Sequence, residues 1–256
     1  MSSTRFIVLS TQRSGSTWVI DMLNSHSEIL AFSELLLENA TGRSRWGGSK
    51  RMEFWNDYFS TRRANDPDLE SDHALPDYLD RVFDHRDGVD AVGFKVMYGQ
   101  LGAFPRLWRY LVDHEVAVIH LIRSNYLDVF VSRELAHARD LYHLREDRSP
   151  GSRQIVIDPC GLPTRLAEHE AEIGRINQMC ESEGVPLLQI TYERLRDDLV
   201  EFDTILRFLS VPGKTRSLQS GLRRINTRGQ SEVIKNYADV VDALKGSRFE
   251  IFLEQV

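Results

Sequence analysis

Five short apolar runs punctuate the chain, at Phe6–Leu9, Ile29–Phe32, Ala91–Val96, Val116–Ile122 and Pro186–Thr191. The first is continuous and β-branched, the pattern of a strand buried on both faces, and the others read as further strands. Longer segments with helical spacing fall between them. Thr17–Leu23 and Tyr126–Arg139 each follow an apolar run. Leu162, Leu166, Ile173, Ile176 and Met179 mark one face of a helix closed by Gly184, and Arg194–Leu209 reads as a helix stopped by Pro212-Gly213. Two stretches break the rhythm. Residues 38–75 carry Gly42, Gly47, Gly48, several Arg and two Trp without a sustained period, and 145–161 carries Pro150, Gly151, Pro159 and Gly161. Strands alternating with helices predict an α/β fold, a mostly parallel sheet flanked by helices. No stretch has the composition of a linker, so one domain over residues 1–256 is expected.

Composition narrows the class. The 256 residues are 41% hydrophobic and 27% charged, enough apolar matter for a core, and this excludes a disordered polyampholyte. No run approaches the ~20 apolar residues of a membrane-spanning helix. With 32 Lys plus Arg against 38 Asp plus Glu, the net charge is −6, which argues against coating nucleic acid. Any anion this chain binds must be held by a local arrangement of donors. Two cysteines, Cys160 and Cys180, make no disulfide framework and have no metal-ligand spacing. Met1-Ser2-Ser3-Thr4-Arg5 opens the chain without an apolar leader, so a reduced, cytoplasmic protein is expected. The eight histidines are scattered. His137 and His143 are six apart, off the i, i+4 face of a helical metal site.

The most informative segment is Ser10-Thr11-Gln12-Arg13-Ser14-Gly15-Ser16-Thr17-Trp18, between the first strand and the first helix. Set on the phosphate-loop pattern G-x-x-x-x-G-K-[ST], Ser10 takes the first Gly, Gly15 the second and Thr17 the hydroxyl position. Ser16 replaces the Lys, and the positive charge stands at Arg13. Small residues let backbone N–H groups converge on an anion, and the following helix adds its positive dipole end. Two other readings stay open: a capped tight turn of the kind common in α/β proteins, and an ATP- or GTP-driven kinase. The kinase needs an acidic residue at a second strand end to hold Mg²⁺. Here the strand ends read Leu121-Ile122-Arg123 and Ile190-Thr191-Tyr192-Glu193, so a phosphate site without a metal is expected.

The segment Thr11–Trp18 resembles the 5′-phosphosulfate loop of the PAPS-dependent sulfotransferases. Leu121–Asn125 through Val131-Ser132-Arg133 is similar to that family's 3′-phosphate motif. Ile190–Leu195 leading into Ile205–Pro212 is similar to its Tyr-Glu strand and following helix. Asn226–Gly229 through Ile234–Tyr237 resembles its nucleotide-clasping loop. The four segments occur in the family's order over residues 5 to about 245.

The resemblance implies a P-loop-like fold, PAPS as sulfuryl donor, adenosine 3′,5′-bisphosphate as product and no metal. It assigns the 5′-phosphate to Arg13 and the loop Ser14, Gly15, Ser16 and Thr17, and the 3′-phosphate to Arg123 and Ser132. Arg228 and Gly229 would close over that end of the nucleotide, and Trp18 and Tyr192 would contact the adenine. Aryl and steroid members place a catalytic His near Gly93–Gln100, where this chain has none. Ala31–Leu35 instead looks like the Glu-bearing strand end of the bacterial and carbohydrate branch. Glu34 is then the expected general base, with Lys95 on the bridging oxygen. The acceptor would be a carbohydrate or small-molecule hydroxyl, with residues 38–75 and 140–160 shaping its pocket and their aromatics stacking on it or packing a satellite helix. A plainer reading makes Glu34 a helix N-terminal acid, Lys95 and Arg123 surface cations at strand ends, Ser132 a helix polar residue and Trp18 part of the core. An ATP-using P-loop kinase and a non-catalytic nucleotide-binding protein remain the alternatives.

Overall fold

The first apolar run forms β1 (Thr4–Ser10), whose last five residues are all buried, and it leads directly into α1 (Ser16–Asn24). The architecture is that of a computed structural model describing residues 3–44, 51–85, 88–139, 154–213, 218–222 and 228–254. After α1 come β2 (Ile29–Phe32), α2 (Trp55–Asn65), α3 (Ser71–Phe83), β3 (Ala91–Met97), α4 (Tyr98–Ala103) and α5 (Pro105–Asp113). Then follow β4 (Ala117–Ile122), α6 (Tyr126–Arg139), α7 (Leu162–Ser182), β5 (Leu187–Thr191), α8 (Tyr192–Asp197), α9 (Phe202–Phe208), α10 (Gln230–Val233) and α11 (Tyr237–Leu244). Trp46, Pro150, Gly151, Tyr142, His143, Asn226 and Thr227 lie outside the described residues.

The chain packs as two compact units, residues 1–122 with 179–220, and residues 123–178 with 221–256. The first holds one five-stranded sheet in the order β2-β3-β1-β4-β5, with every pairing parallel. One face buries Phe6 and Val8 of β1 against Val19, Ile20 and Leu23 of α1 and Phe202, Ile205 and Leu206 of α9. On α3, Phe83 meets Phe94 of β3 at 5.8 Å between ring centroids and stacks with Tyr110 of α5 at 6.1 Å. The second unit gathers Leu127, Val131 and Leu135 of α6 around Leu162 and Leu166 of α7, with Val233, Ile234, Val240, Leu244 and Phe249 closing the cluster.

The strands stand where the apolar runs predict, but two helical expectations are corrected. Residues 38–75 are not uniformly irregular, since α2 and the start of α3 lie within them. α2 buries only Trp55 and Tyr58, too few apolar positions to show a period. Those aromatics pack against one another and their neighbours: Trp55 stacks on Phe59 at 5.2 Å and meets Tyr78 at 5.4 Å. Trp55 and Tyr58 are thereby packed within the fold. Arg194–Leu209 is not one helix either. Asp198 is extended, its side chain accepting a hydrogen bond from Val200 N–H, and this separates α8 from α9. α7 runs three residues past Met179, and Cys180 takes the buried place on its face. Burial pushes the Cys180 thiol up to about 11, so it packs as a small apolar group, while Cys160 is exposed and both are free.

His169 of α7 is buried edge-on against Tyr126 of α6, with centroids 5.1 Å apart, and its Nε2 has no hydrogen-bond partner among the described residues. Burial, helped by the Arg133 guanidinium, pushes its pKa below the ordinary 6.5. Acid then favours the unfolded chain, which binds the proton more readily. The stability tied to this neutral imidazole is present above about pH 6.5 and is lost as pH falls below it. Thermal midpoints taken at about pH 7.5 and about pH 5.5 should therefore drop further in the wild type than in His169→Leu. Equal drops would assign the acid sensitivity elsewhere.

Candidate active site

The central strand β1 ends at Ser10, and six residues later α1 has begun. Between them Arg13 and Gly15 both adopt left-handed backbone, with φ of 66° and 85°, and flank the buried Ser14. Left-handed residues two apart are the backbone pattern of anion-binding nests. The Ser14 hydroxyl donates to Thr11 C=O at 2.8 Å and ties the loop back on itself, while Val19 N–H reaches Gly15 C=O at 3.1 Å. Gly15 is required twice over. Its φ is unfavourable for other residues, and a Cβ there would overlap the Tyr192 ring. Tyr192 meets Trp18 edge-on at 5.6 Å, and Trp18 meets Phe202 at 5.5 Å. The two aromatics that the sequence pairs with one role thus touch each other beside the loop. Ser16 is buried at the start of α1, and Thr17 is half-buried.

Parallel pairing brings the remaining chemistry to this loop. Phe32 pairs with Phe94 and Val8 with Lys95, so the turn after β2 arrives beside the Lys95 stretch of β3. Lys95 Nζ lies 2.6 Å from Glu34 Oε1 and donates to Thr17 Oγ1 at 3.0 Å. Lys95 is only 4% exposed, and the Glu34 side chain 20%. The plainer reading of Lys95 as a surface cation is therefore set aside, as is that of Glu34 as a helix N-terminal acid, since Glu34 sits in the turn two residues past β2. A sequestered ammonium needs both oxygens. Removing one partner of such a pair costs about 3 kcal/mol or more, because the other charge stays behind uncompensated. Just beyond Lys95, Tyr98 OH and His120 Nε2 lie 2.6 Å apart in the core, joining the start of α4 to β4. That buried pair is not apparent from the scattered histidines of the sequence.

In the second unit, Arg123 directly follows the last residue of β4. Its Nη2 pairs with Asp128 Oδ2 at 2.7 Å, and Gln230 Nε2 donates to Asp128 Oδ1 at 2.9 Å. Asn125 caps α6, its Oδ1 accepting from Asp128 N–H at 3.0 Å. Ser132 lies half-buried on α6. Arg228 and Gly229 precede α10, where the Glu254 carboxylate accepts from Gln230 N–H and from Ser231 N–H at 3.2 Å. A Cβ at Gly229 would come within 2.6 Å of Glu254 Oε1, so a larger residue there would push the carboxylate end aside. Asp128 and Gln230 are the site-adjacent residues missed from sequence. An acid in the first turn of a helix is so common for dipole reasons that nothing marks it out. Among the described residues no group of three or more His, Cys, Asp or Glu is arranged to hold a metal ion, and no helix is long and apolar enough to cross a membrane.

A central parallel strand, a tight left-handed loop and a helix start facing a buried cation define a P-loop-like α/β fold. A family model described as the sulfotransferase domain matches residues 3–240, and the chain belongs to that family. Among solved structures it is similar to a sulfotransferase from Alicyclobacillus acidocaldarius, with a TM-score of 0.48, 14% identity and coverage of 100% of this chain and 98% of that one. It is also similar to mouse sulfotransferase SULT7A1 complexed with PAP, with a TM-score of 0.45, 13% identity and coverage of 99% and 76%. No curated protein sequence matches it.

The loop geometry is testable by stability alone. Gly15→Ala should lower stability by about 1–3 kcal/mol through backbone strain, with an added cost from the Tyr192 ring. In a Tyr192→Ala background the same change should cost less, because only the strain remains, and thermal unfolding of the wild type and the three variants reads the difference. Equal costs in both backgrounds would mean that the ring does not restrain Gly15.

Proposed function

We propose that this sulfotransferase moves the sulfuryl group of PAPS to a hydroxyl of a carbohydrate or small-molecule acceptor and releases adenosine 3′,5′-bisphosphate. The observation that carries the proposal is the meeting of Glu34, Lys95 and Thr17 at the phosphate loop. A carboxylate, an ammonium and a loop hydroxyl are the three groups an in-line displacement at sulfur needs beside the donor: a proton acceptor, a cation for the leaving oxygen and an anchor. In an ATP-using kinase the loop hydroxyl serves Mg²⁺. Here Thr17 Oγ1 accepts from the Lys95 ammonium, which favours sulfuryl transfer over the kinase alternative.

Each residue has a role in this reading. Arg13 and the amides of Ser14, Gly15, Ser16 and Thr17 take the 5′-phosphate. The left-handed backbone at Arg13 and Gly15 and the missing Cβ at Gly15 suit such a cradle. Trp18 and Tyr192 contact the adenine. Arg123 and Ser132 take the 3′-phosphate, with Arg228 and Gly229 closing that end. Glu34 accepts the acceptor's proton as the hydroxyl oxygen forms its bond to sulfur and the bond from sulfur to the bridging oxygen breaks. Protonation removes the negative partner of Lys95, and the ammonium is then drawn to the charge building on the bridging oxygen. One base and one cation thus exchange partners during a single displacement. Residues 38–75 and 140–160 are assigned to the acceptor pocket, and a reduced, cytoplasmic setting goes with the two free cysteines.

Glu34→Gln keeps a polar partner for Lys95 but cannot take a proton. Formation of adenosine 3′,5′-bisphosphate from PAPS, measured with a panel of sugars and small alcohols, should fall by about a hundredfold or more. Affinity for the bisphosphate should stay near that of the wild type. Turnover at the wild-type rate in this variant would remove Glu34 as the base.

A further inference from the structure

Asp128 is held at three points. Its backbone N–H is capped by Asn125, its Oδ1 accepts from Gln230 and its Oδ2 faces Arg123. Gln230 is only 5% exposed, and its Nε2 donates both to Asp128 Oδ1 and, at 2.9 Å, to Phe252 C=O. Asn125 Nδ2 donates to the same carbonyl at 2.9 Å, so a single backbone oxygen ties α6 to the residue that follows Gly229. The backbone of Gln230 is fixed in turn by Glu254. An isolated exposed ion pair would leave an arginine free to sample its rotamers. This chain of contacts does not, because the carboxylate that orients Arg123 cannot itself turn.

We infer that Asp128 and Gln230 are positioning residues that set Arg123 for the 3′-phosphate, and so give the site its preference for a 3′-phosphorylated nucleotide. The inference rests on the assignment of Arg123 to that phosphate under the proposed function. The pair acts through Arg123 rather than on the ligand. Gln230 couples it to the Arg228–Gly229 segment, so the two parts assigned to the same phosphate share one hydrogen-bonded support. Charge alone predicts the opposite behaviour. Asp128 places a negative charge beside an anion-binding arginine, and its removal by simple Coulomb reasoning should strengthen phosphate binding. Positioning predicts that removal weakens it.

Titration calorimetry of the full chain with adenosine 3′,5′-bisphosphate and with adenosine 5′-monophosphate separates these outcomes. The wild type should prefer the bisphosphate. Asp128→Asn and Gln230→Leu should each lose about tenfold or more in bisphosphate affinity, while monophosphate affinity stays within about twofold. Retained monophosphate binding also shows that the variant is folded, and Gln230→Leu decides the matter if Asp128→Asn does not fold. Bisphosphate affinity that is unchanged or higher, or an equal loss for both ligands, overturns the inference while leaving the proposed function standing. A wild type that binds both nucleotides equally overturns the 3′-phosphate assignment and this inference with it.

Discussion

One buried ammonium organises the first unit. Lys95 lies on an interior strand of the sheet, nearly sealed from water, and such a charge is tolerated only where other groups replace its hydration. Glu34 supplies the countercharge and Thr17 an acceptor oxygen. These come from three different elements: the turn after β2, the strand β3 and the first turn of α1. The strand order β2-β3-β1 makes their convergence possible, since it puts the β2 exit beside Lys95 and the phosphate loop on the other side. The ion pair therefore fixes the position of the loop hydroxyl as much as the loop fixes the pair.

In the proposed function, acidic composition and anion chemistry coexist through this locality. A net charge of −6 disfavours long polyanions over the outer surface. It says little about a compact ligand met by left-handed backbone, a helix start and single cations at defined places. In the proposed function Arg13 and Lys95 serve one such place in the first unit, and Arg123 and Arg228 another in the second. Glu34 holds Lys95 and Asp128 holds Arg123.

Local pattern carries the strands and the loop, and pairing at a distance carries the rest. The apolar runs locate all five strands: β1 to β4 are buried along most or all of their length and leave a continuous apolar signature, while the edge strand β5 is only partly buried. The spacing from Ser10 to Thr17 locates the loop, since Gly15 is dictated by its own φ. α2 escapes notice because Trp55 and Tyr58 are its only buried residues, and the break at Asp198 escapes because a side-chain cap replaces the expected helical turn. Glu34 and Lys95 are each visible as candidates, but their direct contact depends on the β2–β3 register. The Asp128–Gln230 contact spans 102 residues of chain, and no local pattern announces it.

In the proposed function the loop beside Lys95 serves a 3′-phosphorylated nucleotide rather than a metal-bound triphosphate. Titration calorimetry of the wild-type chain with adenosine 3′,5′-bisphosphate against ATP–Mg²⁺ tests it most directly. Tight binding of the bisphosphate with weak or no binding of ATP–Mg²⁺ is the predicted result. Preference for ATP–Mg²⁺ would contradict it.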